Sequence, residues 1–242
     1  MRKVTCYPSV LYLTLPFHCL MKKTLLFLLT SALLATSATA QKKPMVKSVG
    51  AIDARSQAAT YKLQPQLSTL GWVGKKVTGQ HTGTMQFKEG SVLVKGNQVT
   101  GGTFVVDMTT VKDEDLTDAG MNAKLVGHLK SDDFFSVEKN PTSTFKITSI
   151  APIAGAAADA NNMTVTGDLT IKGITNSITF PAKVGVKNGI AAASGTATVD
   201  RTKYDIKFRS TSFFESLGDK AIDNDFTLNF NVIAKQDAVA KQ

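Results

Sequence analysis

Phe226-Thr227-Leu228-Asn229-Phe230-Asn231-Val232 carries an apolar side chain at every second position. Successive side chains of an extended chain point to opposite faces, so this stretch reads as a strand with one apolar face and one wet face. The same period of two recurs upstream. Met163, Val165, Leu169 and Ile171 alternate with Thr164, Thr166, Asp168 and Thr170. Ile178, Phe180, Val184 and Val186 share a face, as do Phe104, Val106 and Met108, and Phe145 with Ile147. Half-buried strands of this kind belong to antiparallel sheets that cover a core on one side.

Turn signals fall between these runs. Lys187-Asn188-Gly189-Ile190 is the strongest, because Asn-Gly readily takes the positive φ angles of a two-residue hairpin turn. Lys88-Glu89-Gly90-Ser91 and Lys95-Gly96-Asn97-Gln98 read as further turns, and residues 151–162 (APIAGAAADANN) as a loop between two strands. About eight strands at hairpin spacing predict a meandering barrel or a sandwich. One segment departs from the period of two. Asp118 is placed to cap a helix through Met121, Leu125 and Leu129, with Gly120 and Gly127 keeping it short. This helix is expected to plug the barrel, apolar face inward. A second helical turn is expected near Phe213–Ala221.

The N-terminal region is of another kind. Met21-Lys22-Lys23 precedes the apolar run from Thr24 to Ala35, which leads to Ala38-Thr39-Ala40 and Gln41. A basic start, a short apolar core and an Ala-x-Ala site form the layout of a secretory signal peptide, and the core is too short for a stable membrane span. Residues 1–20 read as coding upstream of a start at Met21 or as a long basic leader. The expected organisation is a signal peptide over 1–40 cleaved after Ala40, a flexible lead-in over 41–57, and one β domain over 58–236. The exported part would be periplasmic. Residues 1–40 hold four basic and no acidic residues, so removing them leaves 24 basic against 19 acidic groups and a net charge of +5. That mild excess, without a run of basic residues, gives no push toward nucleic acid. Both cysteines, Cys6 and Cys19, lie in the removed part, so no disulfide, thiolate metal site or lipidated N-terminal cysteine is expected.

Chemistry is scarce in what remains. His81 and His128 have no partner at metal-ligand spacing in the sequence. His81 reads as a rim residue and His128 as a helix-end residue. Asp113-Glu114-Asp115 and Asp132-Asp133 read as solvated loops, since they lack the regular ligand spacing of a calcium loop. No catalytic residue, metal or cofactor is expected, and the chain is not read as an enzyme. Trp72, Phe134-Phe135 and Phe213-Phe214 fit either core packing or the lining of an apolar site. An eight-stranded barrel is just wide enough to be filled by side chains or to hold one small ligand, and periodicity leaves that choice open.

The stretch from His128 to Phe145, HLKSDDFFSVEKNPTSTF, resembles the signature block of the YceI-like family. Gly101-Gly102-Thr103-Phe104-Val105-Val106-Asp107-Met108 is similar to its G-x-F-x-I-D strand, and Val165–Thr175 (VTGDLTIKGIT) to its G-x-L-T-I-x-G-V-T hairpin. Asp200-Arg201-Thr202-Lys203-Tyr204-Asp205-Ile206 is similar to its R-x-x-F/Y-G-I motif. Asn140, Asp205 and Ser136 stand where the family often has an aromatic residue, Gly and Asp. The resemblance covers about residues 59–235. It implies an all-β, lipocalin-like antiparallel barrel of about eight strands with a helix against it, and an elongated apolar lumen that takes isoprenoid or other long-chain lipid. It also implies an exported protein without catalytic residues. The side chains expected to line the lumen are Phe104, Val106, Met108, Leu125, Leu129, Phe134, Phe145, Ile147, Leu169, Ile171, Phe180 and Phe230. The competing reading is a filled barrel, structural or stress-related, that acts through its outer surface. Monomer and homodimer are both open.

Overall fold

The computed structural model describes residues 57–236. The expected signal peptide and, apart from Gln57, the expected lead-in lie outside the described residues. Nine strands and one α-helix follow in order. They are β1 (Ala59–Leu63), β2 (Thr69–Lys76), β3 (Gly79–Lys95), β4 (Gln98–Asp113), α1 (Ala119–Lys130), β5 (Thr142–Pro152), β6 (Met163–Ile171), β7 (Ile174–Lys187), β8 (Ile190–Asp200) and β9 (Ile222–Gln236). From β2 onward each strand pairs antiparallel with the next, and β9 returns to pair with β2, which closes the sheet into a barrel. β1 pairs with the far parts of β3 and β9. β1 and β2 therefore occupy one position in the wall, and the barrel has eight staves.

A 3-10 turn at Pro65–Leu67 interrupts that shared stave. The ladder to β9 is carried across the break. Gln64 N–H donates to the Ile233 carbonyl at 2.8 Å, and Ile233 N–H donates to Ser68 Oγ at 3.0 Å. Backbone groups in the wall thus keep partners although the chain leaves the strand for one turn.

The hairpins follow local turn chemistry. Asn188 and Gly189, with φ of 51° and 72°, join β7 to β8; Lys172 and Gly173, with φ of 51° and 75°, join β6 to β7. Positive φ at both central residues matches the twist of the flanking strands. The expected turn at Lys88–Ser91 is not there, because β3 runs through it. The register to β4 shifts between Phe87 and Glu89, a β-bulge. Gly90 is required by proximity: a Cβ there would sit 2.9 Å from the Thr103 carbonyl and 3.0 Å from the Phe104 ring. A glycine inside a strand often marks a bulge or a close approach.

α1 starts where the capping residue predicts. The Asp118 carboxylate accepts from Met121 N–H at 2.7 Å. Its inward face differs from the expected one. Met121 is 54% exposed, and Asn122, Leu125, Val126 and Leu129 face the protein. Positions spaced by four drift around a helix of 3.6 residues per turn, so a stripe chosen at i, i+4, i+8 slides off the buried face. The expected helical turn near the end of the chain is present as a 3-10 turn at Gly218–Lys220.

Candidate functional site

The inward faces of the strands are apolar, and they enclose a cavity of about 140 Å³ that is partly open to solvent. It runs from Met85, Phe135 and Phe226 to Val99, Ile150 and Val184 near the hairpin turns. Ser143 and Thr144 are the only polar residues among those lining it. The Ser143 hydroxyl is turned to the Met108 sulfur at 3.2 Å. Such a lining solvates an apolar chain and offers almost nothing to a polar group.

Two features of the sequence keep the lumen from filling. First, β8 turns Ala191, Ala193 and Ala197 toward it, where large residues would close the space. Second, glycines let aromatic rings lie flat against the wall. A Cβ at Gly167 would be 2.5 Å from Phe145 Cζ, and one at Gly195 would be 2.9 Å from Phe230 Cζ. The Phe145, Phe180 and Phe230 rings then form a run with 5.5 Å between successive centroids. Gly167 is the leading glycine of the G-x-L-T-I-x-G-V-T stretch and sits at an inward position of the 163–171 alternation, but the ring it seats belongs to the neighbouring strand. A glycine where an apolar side chain belongs is the signal that could have found it.

Nine of the twelve residues expected at the lumen face this cavity: Phe104, Val106 and Met108 on β4, Phe145 and Ile147 on β5, Leu169 and Ile171 on β6, Phe180 on β7 and Phe230 on β9. Leu125, Leu129 and Phe134 do not. Leu125 packs half-buried against the core, while Leu129 and Phe134 line a smaller cavity of about 70 Å³. α1 lies across one end of the barrel instead of entering it. Of the aromatic pair, Phe135 reaches the main cavity and Phe134 is held under the helix, between His128 at 4.9 Å and Phe208 at 5.7 Å. The two cavities abut, since Met85, Phe135 and Phe226 line both. Phe135 and Phe226 meet edge to face at 6.3 Å and form the partition.

The capped end is tied by buried polar groups. Arg201 is 4% exposed. Its three guanidinium nitrogens donate to the carbonyls of Asp223, Ile206 and Ile222 at 2.8–2.9 Å. Burial lowers its pKa, with Asp200 and Asp223 acting the other way. Tyr204 is buried beside it, and burial pushes its phenol up to about 12. Both belong to the R-x-x-F/Y-G-I stretch, but in the sequence neither shows the burial that gives it this role. Trp72, also buried, donates from Nε1 to the Lys112 carbonyl at 3.0 Å.

The acidic segments behave differently from expectation at one residue. Asp132 and Asp133 are exposed, and pair with Lys139 at 2.7 Å and His128 at 3.1 Å. Asp113, expected to be solvated, is 7% exposed. The pairing of β3 with β4 brings it beside His81 and Asp115.

Comparison with known proteins places this barrel. The model of the YceI-like domain matches residues 61–234. The chain belongs to the YceI-like family. A UPF0312 protein of Pseudomonas aeruginosa is 40% identical over 57 residues, 24% of this chain and 27% of that protein. Protein YceI of Escherichia coli O157:H7 is 39% identical over 57 residues, with the same shares. The matched stretch thus spans about a quarter of these relatives' length. Among solved structures, BcnA of Burkholderia cenocepacia superposes with a TM-score of 0.52 at 21% identity, over 72% of this chain and 99% of that chain. A polyisoprenoid-binding domain from Saccharophagus degradans, implicated in plant cell wall breakdown, gives 0.51 at 15% identity over 74% and 99%. These likenesses concern the fold. Within the YceI-like pattern, Asp205 stands at the position often held by Gly, and its φ of 57° and ψ of 32° are left-handed. Asp tolerates that region better than most residues. Ser136, with φ of 49°, is a second such position.

Proposed function

We propose that this YceI-like protein is exported to the periplasm and binds a long apolar chain of isoprenoid type in the barrel lumen, without catalysing a reaction on it. The observation that carries the reading is the open apolar cavity with the small inward residues of β8. Family membership and the polyisoprenoid-binding domain of the same fold support it. The layout of residues 21–41 supports export. No helix among the described residues is long and apolar enough to cross a membrane.

Size constrains the proposal. A cavity near 150 Å³ holds a benzene-sized group, so about 140 Å³ seats roughly one five-carbon unit without movement. Burying that unit gains about 4 kcal/mol gross at ~0.8 kcal/mol per carbon, less than association costs. Useful affinity requires several units. Rotation of Phe135 or Phe226 would join the second cavity to the first and lengthen the path, while the open side lets the remaining chain and any polar head stay outside. A barrel filled by its own side chains is the poorer reading, since an apolar cavity of about 140 Å³ remains open inside this one.

The test is lipid extraction. Protein purified from a bacterial periplasm is extracted with organic solvent, and the extract is analysed by mass spectrometry. A stoichiometric isoprenoid or other long-chain lipid is expected. Protein that carries no lipid, and that takes up no fluorescent isoprenoid analogue after stripping, overturns the reading.

A further inference from the structure

Outside the lumen, where β3 meets the end of β4, His81 converges with two aspartates that lie more than thirty residues further along the chain. One ligand atom from each of His81, Asp113 and Asp115 lies within 4.8 Å of the other two. Asp115 is held from two sides: Oδ1 accepts from Thr82 N–H at 2.6 Å, and Oδ2 lies 2.9 Å from His81 Nδ1. Asp113 is the unusual member. It is 7% exposed, and its Oδ1 accepts from Leu116 N–H at 2.9 Å and Asn122 Nδ2 at 3.1 Å. Its Oδ2 is buried with no hydrogen-bond partner among the described residues. A buried carboxylate oxygen left without a donor beside a second carboxylate calls for a proton shared between the two or for a bound cation. No Lys or Arg is ion-paired with either aspartate among the described residues.

We propose that His81, Asp113 and Asp115 form a binding site for a divalent first-row transition cation, with zinc as its representative. One imidazole nitrogen and two carboxylate oxygens match zinc better than calcium or magnesium, which favour oxygen alone. Three protein ligands leave a position for water. The 2.9 Å between His81 Nδ1 and Asp115 Oδ2 is about half an ångström short of the ~3.4 Å edge of a tetrahedral zinc site, a gap that a small turn of the half-buried ring closes. The backbone beneath is already fixed. Trp72 Nε1 holds the Lys112 carbonyl at 3.0 Å, and Glu114 N–H donates to the Thr82 carbonyl at 2.9 Å. Little ordering remains to oppose binding. A cation would neutralise the two aspartates and, through Asn122, tie the edge of the barrel to α1.

The chain contains one tryptophan, and it touches the residue next to Asp113. Chelator-stripped protein is titrated with zinc chloride, and with calcium and magnesium chloride as controls, by calorimetry and Trp72 fluorescence. One zinc ion per chain and a saturable fluorescence change are expected. Asp113→Asn keeps the acceptor that Leu116 and Asn122 use, so the fold is retained, yet it should weaken zinc binding by about tenfold or more, as should His81→Ala. His128→Gln should bind as the parent does. No binding at millimolar zinc overturns the proposal. So does parental affinity in Asp113→Asn, which would leave a proton shared between the two aspartates as the occupant.

Discussion

Replacing Val106 by Trp separates a lumen that holds a ligand from a packed core. Val106 faces the cavity from β4 and is half-buried. In a filled core, so large an enlargement forces side chains off their rotamers and costs about 1–3 kcal/mol, occasionally more. Here the indole has space. An apolar void costs about 24 cal/mol per Å³, so the empty cavity of about 140 Å³ represents roughly 3 kcal/mol that a new ring can partly recover. Recovered contact and residual strain nearly cancel, and the stripped variant should stay within about 1 kcal/mol of the parent. That is a shift of about 2–4 °C in Tm for a domain of this size. Bound chain, by contrast, competes with the ring for one space, and lipid per protein should fall at least about tenfold, a loss of ~1.4 kcal/mol. The assay pairs mass spectrometry of solvent extracts with melting of stripped protein. If Val106→Trp unfolds while the parent never carries lipid, the barrel is filled and the carrier reading fails. If the variant folds and keeps its lipid, the ligand lies elsewhere.

Leu129→Ala should lower stability by about 2–4 kcal/mol, whereas Met121→Ala should change it by under about 0.5 kcal/mol; urea midpoints compare the two faces of α1 directly. Gly83→Ala would put a Cβ 1.9 Å from the Lys112 carbonyl oxygen and 2.8 Å from Trp72, and should cost about 3 kcal/mol or more. Gly127→Ala meets nothing within 4 Å on the exposed helix face and should stabilise by up to ~1 kcal/mol, so the two alanines should move Tm in opposite directions. Tyr204 has a phenol raised from 10.0 to about 12 by burial, with Asp200 adding to it. Its contribution to stability is whole below about pH 10 and falls by about 2–3 kcal/mol as pH rises toward 12, because only the unfolded chain ionises in that window. Melting temperatures across that range should drop less steeply in Tyr204→Phe, and equal slopes would mean that the phenol is not shielded.

Much of the barrel was legible because its signals are local. The Phe226–Val232 alternation, the Asn188-Gly189 turn and the Asp118 cap depend on residues within a few positions of one another. The misreadings came where one residue type serves two ends. Gly90 looked like a turn and is a close approach at a bulge. Leu129 and Phe134 read as lumen residues within a family block, but which cavity they face depends on how α1 packs, and they line the smaller one. Phe135, one position later, reaches the lumen instead.

By itself the sequence determined which face of each strand is apolar, where the hairpins turn and where α1 begins, since steric limits on φ and hydrophobic patterning act over a few residues. Only the tertiary structure decided that β1 and β2 share one stave, that β9 returns to β2, and that the alanines of β8 lie in the wall between the strands that carry Phe180 and Phe230, beside an open lumen. It also decided that His81 meets Asp113 and Asp115. Those outcomes rest on register between strands far apart in the chain. A shift of one residue would turn every side chain of a strand to the opposite face, and the winning register is the one that buries all the apolar faces at once.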